Sequence, residues 1–135
     1  MHIGFTGTQK GMNDNQLEML GRMLLALREE DELDGEMTIF HHGDCIGADA
    51  QAHTVAQGYG LHVVIHPPSI DTKRAFCAGD IRVPLPYLER NRNIVDECDI
   101  LLVAPKTNKE ELRSGTWATY RYAMKLDKAV ILLER

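Results

Sequence analysis

Short apolar runs alternate with amphipathic stretches along the chain. The apolar runs are rich in β-branched and aromatic residues and predict five strands, at residues 2–6, 37–40, 63–65, 100–103 and 129–133. After the first strand, leucines recur at helical spacing and define one apolar face: Leu17, Leu20, Leu24 and Leu27. Asn13 or Asp14 is suited to cap this helix, because its side-chain oxygen can accept from a free backbone N–H.

Three further helices are predicted between the strands. They span residues 48–57 and 87–98 and start near residue 113, where Trp117, Tyr120 and Met124 share one face. The segment from residue 67 to residue 86 differs, because it holds four prolines and shows little periodicity. Long connections of this kind often serve as lids, so we expect residues 69–82 to fold over a ligand.

The alternation of strands and helices predicts one α/β domain that spans residues 1–135. Strands joined through helices form a parallel sheet with helices on both faces. We therefore expect a Rossmann-like three-layer sandwich with a five-stranded, mainly parallel sheet. In such sheets, ligands bind beyond the carboxyl ends of the strands, near the topological switch point.

Charge and cysteine content narrow the classes of function. The 135 residues include 15 basic and 20 acidic side chains, for a formal net charge of −5. This balance disfavours binding of duplex nucleic acid through a basic face. No apolar stretch reaches the length of a membrane span, and the first residues lack the pattern of a signal peptide. Three cysteines without a CxxC pair favour the reducing cytoplasm over a disulfide framework.

Small and hydroxyl-bearing residues follow three of the predicted strands. A glycine-rich turn that leads into a helix presents free backbone N–H groups and the positive end of the helix dipole, which suit a phosphate. Neither GxGxxG nor GxxxxGK(S/T) occurs, so the chain has no dinucleotide fingerprint and no Walker loop. The candidate ligand-binding residues are Gly7 and Thr8 after the first strand, Gly43, Asp44, Gly47 and Asp49 after the second, and Ser114, Gly115 and Thr116 after the fourth.

A local excess of basic residues lies between residues 67 and 93. The segment contains five basic and three acidic side chains, a local charge of +2 in an acidic chain. This local excess indicates one specific anion site. Arg90 and Asn91 are the clearest part of it. A guanidinium binds phosphate at two points, and an asparagine amide can hydrogen-bond a sugar or a base.

Four short motifs occur in an order that is found in one superfamily. They are Gly4-Phe5-Thr6-Gly7-Thr8, His42-Gly43-Asp44-Cys45-Ile46-Gly47-Ala48-Asp49, Tyr87-Leu88-Glu89-Arg90-Asn91 and Ser114-Gly115-Thr116. The chain thereby resembles the SLOG superfamily, a Rossmann-like group that includes the DNA-processing protein of natural transformation and the "lonely guy" phosphoribohydrolases, and it is most similar to the small members. The resemblance implies a nucleotide or nucleotide-derived ligand at the strand ends and a homodimer or higher homo-oligomer.

One departure from the superfamily pattern bears on catalysis. The phosphoribohydrolases carry a Gly-Thr-x-x-Glu turn, whereas here Gly115 and Thr116 are followed by Thr119 at the position of the glutamate. A hydroxyl cannot replace a carboxylate in stabilising an oxocarbenium-like centre. If the chain cleaves a glycosidic bond, another carboxylate must act, and Asp49 and Asp80 are the candidates.

The histidines and cysteines match no known metal-site spacing. His41 and His42 are adjacent at a strand end and point in opposite directions, so we expect no metal and no other cofactor. Cys45 lies at a predicted helix start, where a thiolate can be stabilised. A packing role and a nucleophilic role both remain open for it.

These features together predict a cytoplasmic domain that binds a nucleotide or nucleotide-derived ligand. In this hypothesis the glycine turns hold phosphate and ribose, Arg90 neutralises phosphate, Asn91 bonds the sugar or base, and Asp49 accepts from ribose hydroxyls. Two alternatives remain. One is an N-glycosyl hydrolase or transferase that acts on nucleoside monophosphates, and the other is a module that binds single-stranded DNA or a protein.

Overall fold

The computed structural model describes residues 1–135 as a layered α/β fold. Its strands are β1 (His2–Gly7), β2 (Ile39–His42), β3 (His62–Ile65), β4 (Asp80–Ile81), β5 (Ile100–Ala104) and β6 (Ala129–Leu132). Its helices are α1 (Asp14–Leu33), α2 (Ala48–Gly58), α3 (Tyr87–Glu97) and α4 (Gly115–Lys125). All five strand pairs are parallel, in the order β4-β3-β2-β1-β5-β6. None of the helices combines the length and hydropathy that a membrane span requires.

The sheet separates two apolar cores, which makes the predicted three-layer sandwich. Alternate strand residues such as Ile3 and Phe5 pack with the leucines of α1 and the alanines of α2 in a core of 16 buried residues. The intervening residues, among them Leu101 and Val103, pack on the other face with Ile94 of α3 in a smaller core. This alternation follows from the period of two along a strand.

The sheet has six strands, so the expected number of five is wrong by one. The additional strand, β4, lies inside the proline-rich segment for which a loop is predicted, and it pairs with β3 through Val64↔Asp80 and Ile65↔Ile81. Both β4 residues are exposed, so they carry no apolar pattern that could reveal them. The open edge of β3 recruits them through backbone hydrogen bonding.

Of the two residues predicted as possible caps of helix α1, Asn13 is the cap and Asp14 is the first residue of the helix. The Asn13 side chain accepts from the backbone N–H of Gln16, and the Gln16 side chain accepts from the backbone N–H of Asn13, which completes a capping box. The same buried Gln16 donates to the carbonyls of Pro105 and Leu133 at 2.9 Å each. The start of α1 is thereby tied to the carboxyl ends of β5 and β6.

Gly47, the residue that precedes α2, permits a close backbone approach. Its φ of +86° lies in a region that side chains disfavour, and a Cβ there would overlap the backbone carbonyl of Gln9. The following residue, Ala48, donates its backbone N–H to the Thr8 carbonyl at 2.9 Å. Gly47 therefore allows the turn after β1 to pack on the start of α2.

We expect Gly47→Ala to destabilise the fold by at least about 2 kcal/mol, because the new Cβ both strains the backbone at Gly47 and overlaps the backbone of Gln9. The measurement is urea denaturation followed by circular dichroism. Gly58→Ala is the matched control, since no atom lies within 4 Å of its added Cβ and its φ is not positive. That variant should gain up to about 1 kcal/mol through helix propensity. Equal stabilities of the two variants would contradict the packing role of Gly47.

Candidate functional site

A cavity lies at the topological switch point of the sheet. The strands β2, β3 and β4 extend the sheet on one side of β1, and β5 and β6 extend it on the other side. A space of about 700 Å³ opens beyond the carboxyl ends of β1 and β5. This volume lies within the range of small-molecule sites, and its position is the one that parallel α/β sheets use for ligands.

The three glycine-containing turns predicted to hold a ligand converge on this cavity. They come together because the carboxyl ends of parallel strands lie at one edge of a sheet. The predicted residues that line the cavity are Gly7, Thr8, Gly43, Asp49, Arg90, Asn91, Ser114, Gly115 and Thr116.

Three other predicted residues, Asp44, Gly47 and Asp80, do not line the cavity. Asp44 is fully buried beneath it, where its carboxylate accepts from Arg74 Nε at 2.6 Å and from the Cys77 backbone N–H at 2.8 Å. Asp80 lies on the edge strand β4, with Oδ2 3.4 Å from His62 Nε2. Asp44 thus holds the segment after β3 in place through hydrogen bonds. Strands β3 and β2 lie between Asp80 and the strand β1 at the cavity.

The wall opposite β2 comes from a segment that sequence reasoning missed. None of residues 69–82 lines the cavity, so the structure does not show the expected lid in that position. The loop between β5 and α4 lines it instead. The additional lining residues with polar or aromatic side chains include Lys10, Tyr87, Lys106, Glu111 and Arg113. The sequence does contain a signal for this part of the wall, because several charged residues follow the fourth predicted strand and therefore lie at the same sheet edge.

Arg90 is a buried cation that joins the cavity to the sheet. It is 4% exposed, and its Nη1 donates to the carbonyls of Gly43 and, at 3.1 Å, His66. Its Nε donates to Asn91 Oδ1 at 2.7 Å, and Nη2 lies 3.6 Å from Cys45 Sγ. Most of the guanidinium hydrogens therefore contact protein atoms. Arg90 therefore contributes positive charge to the cavity but few N–H groups that are free to bond a ligand.

The Arg90 guanidinium occupies the space where a side chain at position 43 would lie, so only glycine fits there. A Cβ built on Gly43 would lie 2.5 Å from Arg90 Nη1. Any larger residue would displace the guanidinium from the backbone carbonyl that it contacts. The glycine after β2 thus serves the placement of a side chain from α3.

Asp49 presents a buried carboxylate oxygen without a partner. The side chain is on the first turn of α2 and is 5% exposed, and Oδ2 accepts from the Cys45 backbone N–H at 3.1 Å. Oδ1 has no hydrogen-bond partner. Burial raises the pKa of the Asp49 carboxyl to about 6, and the opposing effects of the Arg90 charge and of the Cys45 and Gly43 amides do not outweigh it.

Cys45 and Thr119 are not arranged for nucleophilic or carboxylate-like chemistry. Burial, followed by the charge of Asp49, raises the pKa of the Cys45 thiol, so it stays protonated near neutral pH. Thr119 is buried, and its hydroxyl donates to the Gly115 carbonyl within α4 at 2.9 Å. The hydroxyl at the expected glutamate position therefore does not line the cavity.

The start of α4 forms the end of the cavity that suits an anion. Ser114 caps the helix by accepting from the Trp117 backbone N–H at 3.2 Å. The backbone N–H groups of the first helical residues, Gly115 and Thr116, have no carbonyl partner within the helix. Exposed Lys10, Lys106 and Arg113 line the same cavity, with Lys106 Nζ 3.6 Å from a Glu111 carboxylate oxygen. Amides, helix dipole and cations, which all favour an anion, thus line one cavity.

The fold is shared with proteins of known structure, although no protein-family model and no curated protein matches the chain. The molybdenum cofactor binding protein from the phototrophic bacterium Rippkaea orientalis superimposes with a TM-score of 0.72 at 18% identity, over 97% of this chain and 74% of that one. The molybdenum cofactor carrier protein from Chlamydomonas reinhardtii gives 0.64 at 22% identity, over 98% and 75%.

A third similar structure is DNA processing protein A from Helicobacter pylori, described for its binding of single-stranded DNA. It superimposes with a TM-score of 0.68 at 17% identity, over 98% of this chain and 64% of that one. These likenesses show a common fold. The Rossmann-like fold expected from the resemblance to the SLOG superfamily is therefore confirmed.

The buried carboxyl of Asp49 predicts a pH-dependent difference in stability. Its pKa is about 6 in the folded protein, against 3.8 for a fully hydrated aspartate, so ionisation is penalised only in the fold. The wild type should lose stability relative to Asp49→Asn as pH rises from about 4 to 7, by an amount on the order of 2–3 kcal/mol. Urea denaturation of both proteins across this range measures the difference. A difference that does not change with pH would contradict the burial penalty.

Proposed function

We propose that this chain binds a phosphate-bearing nucleotide or nucleotide-derived ligand in the cavity at the switch point. The observation that carries the proposal is that groups suited to an anion and a buried carboxylate line one cavity. The cations Lys10, Lys106 and Arg113 and the start of α4 line the same cavity as Asp49, whose Oδ1 is a buried acceptor without a partner. A ligand with a phosphate and with hydroxyl or amino donors matches both kinds of group.

The phosphate is assigned to the start of α4. The free amides of Gly115 and Thr116 and the helix dipole favour an anion there. Lys106 and Arg113 add charge from the loop between β5 and α4, and Lys10 adds it from the turn after β1. None of these three cations is buried, so each can reorient toward the ligand.

The sugar or base is assigned to the side of Asp49 and Asn91. Asp49 Oδ1 is a buried acceptor without a partner, and a ligand hydroxyl or amino group would remove the cost of leaving it unpaired. Asn91 Oδ1 is engaged by Arg90 Nε, which leaves the Asn91 NH₂ group to donate to a ligand. Tyr87 also lines the cavity and offers an aromatic face.

Charge removal on the rim of the cavity tests this function. Arg113→Gln should weaken binding of AMP or ADP-ribose about tenfold, because it removes one charge-assisted contact of about 1.4 kcal/mol. Lys109→Gln is the matched control, since Lys109 belongs to the same loop but does not line the cavity. Titration calorimetry measures both. Arg90→Ala is unsuitable, because it would leave the Gly43 and His66 carbonyls unpaired and would destabilise the fold.

The first experiment screens AMP, ADP-ribose, cyclic nucleotides, NAD and the molybdenum cofactor against the folded chain. The absence of binding across this panel would overturn the proposal, as would equal losses in the Arg113 and Lys109 variants. A single-stranded oligonucleotide forms a separate arm. Tight, steeply salt-dependent binding of the oligonucleotide, without binding of mononucleotides, would instead favour the single-stranded DNA alternative.

Asp49 also favours a second candidate function, cleavage or transfer of an N-glycosidic bond. A carboxyl whose pKa is about 6, on a residue that lines the cavity, has the properties of a general acid or base near neutral pH. Its neighbours would hold the phosphate of a nucleoside monophosphate. This function requires release or transfer of the base, which binding alone does not.

The second function predicts free base released from nucleoside monophosphates, measured by liquid chromatography. Release should fall to background in Asp49→Asn and stay unchanged in Asp80→Asn, whose carboxylate faces His62 outside the cavity. Unchanged release in Asp49→Asn would exclude Asp49 as the catalytic group. Binding without any turnover would leave the first function as the activity of the site.

A further inference from the structure

Three histidines lie side by side across neighbouring strands, on the face of the sheet opposite α2. They are His2 of β1, His41 of β2 and His66, which directly follows β3. His2 Nδ1 is 2.8 Å from His41 Nε2, and His41 Nδ1 is 2.9 Å from His66 Nε2. His41 and His66 are buried. Buried polar rings need hydrogen-bond partners, and here the imidazole rings hydrogen-bond to one another.

Glu97, at the end of α3, extends this row. Its Oε2 is 3.8 Å from His66 Nε2, while its Oε1 pairs with Arg82 Nη2 at 2.8 Å. The Arg82 contact orients the carboxylate so that its second oxygen faces the imidazoles. One ligand atom each from His41, His66 and Glu97 lies within 4.8 Å of the other two.

The hydrogen bond to His2 controls which nitrogen of His41 is free. If His41 Nε2 donates to His2 Nδ1, the lone pair of His41 Nδ1 points toward His66 Nε2. Metal-binding histidines are commonly held in this way, with one nitrogen toward the ion and the other donating to an outer partner. Burial lowers the pKa of His41 and of His66 to about 4, so both rings are neutral at pH 7, which is the form that binds metals.

We propose that His41 Nδ1, His66 Nε2 and Glu97 Oε2 form a binding site for a divalent transition-metal ion of the Zn²⁺ class. Two imidazoles and a carboxylate are a known three-ligand set for zinc, which leaves a fourth position for water or another ligand. Ligand atoms of a tetrahedral zinc site lie about 3.3 Å apart. The separations of 2.9 Å between the two imidazole nitrogens and 3.8 Å between His66 Nε2 and Glu97 Oε2 bracket that value, and all three ligand atoms lie within 4.8 Å of one another.

A small cavity borders one of the three proposed ligands, His66. A space of about 230 Å³ is lined by His66 and Arg82 together with Val83, Leu85, Arg90 and Asn93. It is separate from the switch-point cavity, although Arg90 lines both. The metal proposal therefore does not depend on the nucleotide proposal.

A second group of potential ligands, His42, His53 and Cys77, is arranged for hydrogen bonding. His42 Nδ1 accepts from the Asp44 backbone N–H at 2.9 Å, so the proton of a neutral ring is on Nε2. That Nε2 is 3.0 Å from His53 Nδ1 and donates to it. A metal at His42 Nε2 would require an imidazolate. His41 and His42 do point to opposite faces, as expected. On the His41 side, neutral rings can present two lone pairs to an ion once the His66 proton moves from Nε2 to Nδ1.

Titration of the untagged, chelator-treated chain with Zn²⁺ tests the proposal. We expect one Zn²⁺ per chain, and Co²⁺ at the same site should give the intense visible absorption of a tetrahedral centre. His66→Gln should lower Zn²⁺ affinity at least a hundredfold, and Glu97→Gln at least tenfold. His2→Gln should lower it about tenfold, because it removes the outer partner of His41.

His53→Gln and His62→Gln are the matched controls. His53 belongs to the group with His42 and Cys77, and His62 is exposed beside Asp80. Both should bind one Zn²⁺ with wild-type affinity. Glu97 is partly exposed, so its variant should remain folded by circular dichroism even if the buried histidine variant does not. Failure of the folded wild type to bind one Zn²⁺, undiminished affinity in Glu97→Gln, or loss of binding in His53→Gln would overturn the proposal.

Discussion

One buried guanidinium organises the carboxyl edge of this sheet. Arg90 extends from α3 and donates to the carbonyls that follow β2 and β3, at Gly43 and His66. A buried cation is tolerated only where hydrogen bonds and opposite charge compensate for lost hydration. The two carbonyls, the Asn91 amide oxygen and the nearby Asp49 carboxylate provide this compensation. The positions of the turn after β2 and of the segment after β3 both depend on this side chain.

The same guanidinium separates two regions of different chemistry. On one side, the switch-point cavity combines free amides, flexible cations and an unpaired carboxylate oxygen. On the other side, His66 begins a row of neutral imidazoles. At Asp49, desolvation outweighs the attraction of Arg90, since the pKa of the carboxyl rises even though a cation is near. Removal from water is therefore the dominant influence on the pKa of Asp49.

Much of the architecture could be predicted from local patterns, and the misses have identifiable causes. The cap of α1 at Asn13 follows from a side chain that bonds the backbone three residues ahead. Strand β2 extends to His41 and His42, two residues beyond the apolar run, because buried histidines that pair with each other do not look apolar in sequence. The basic segment that includes Arg82 is predicted to lie near the ligand, but Arg82 instead pairs with Glu97 outside the cavity. A count of charges along a segment does not show which way each side chain points.

Local sequence patterns were enough to predict most of the elements and the turns that end them, because periodicity, capping and glycine preference act over a few residues. It also placed three turns at one sheet edge, because parallel strands share a direction. Only the tertiary structure decided which side chains meet there. Arg90 contacts a carbonyl 47 positions away, and His41 contacts a ring 25 positions away. Such pairs depend on strand order and register, which arise when the whole sheet assembles and which no local pattern encodes.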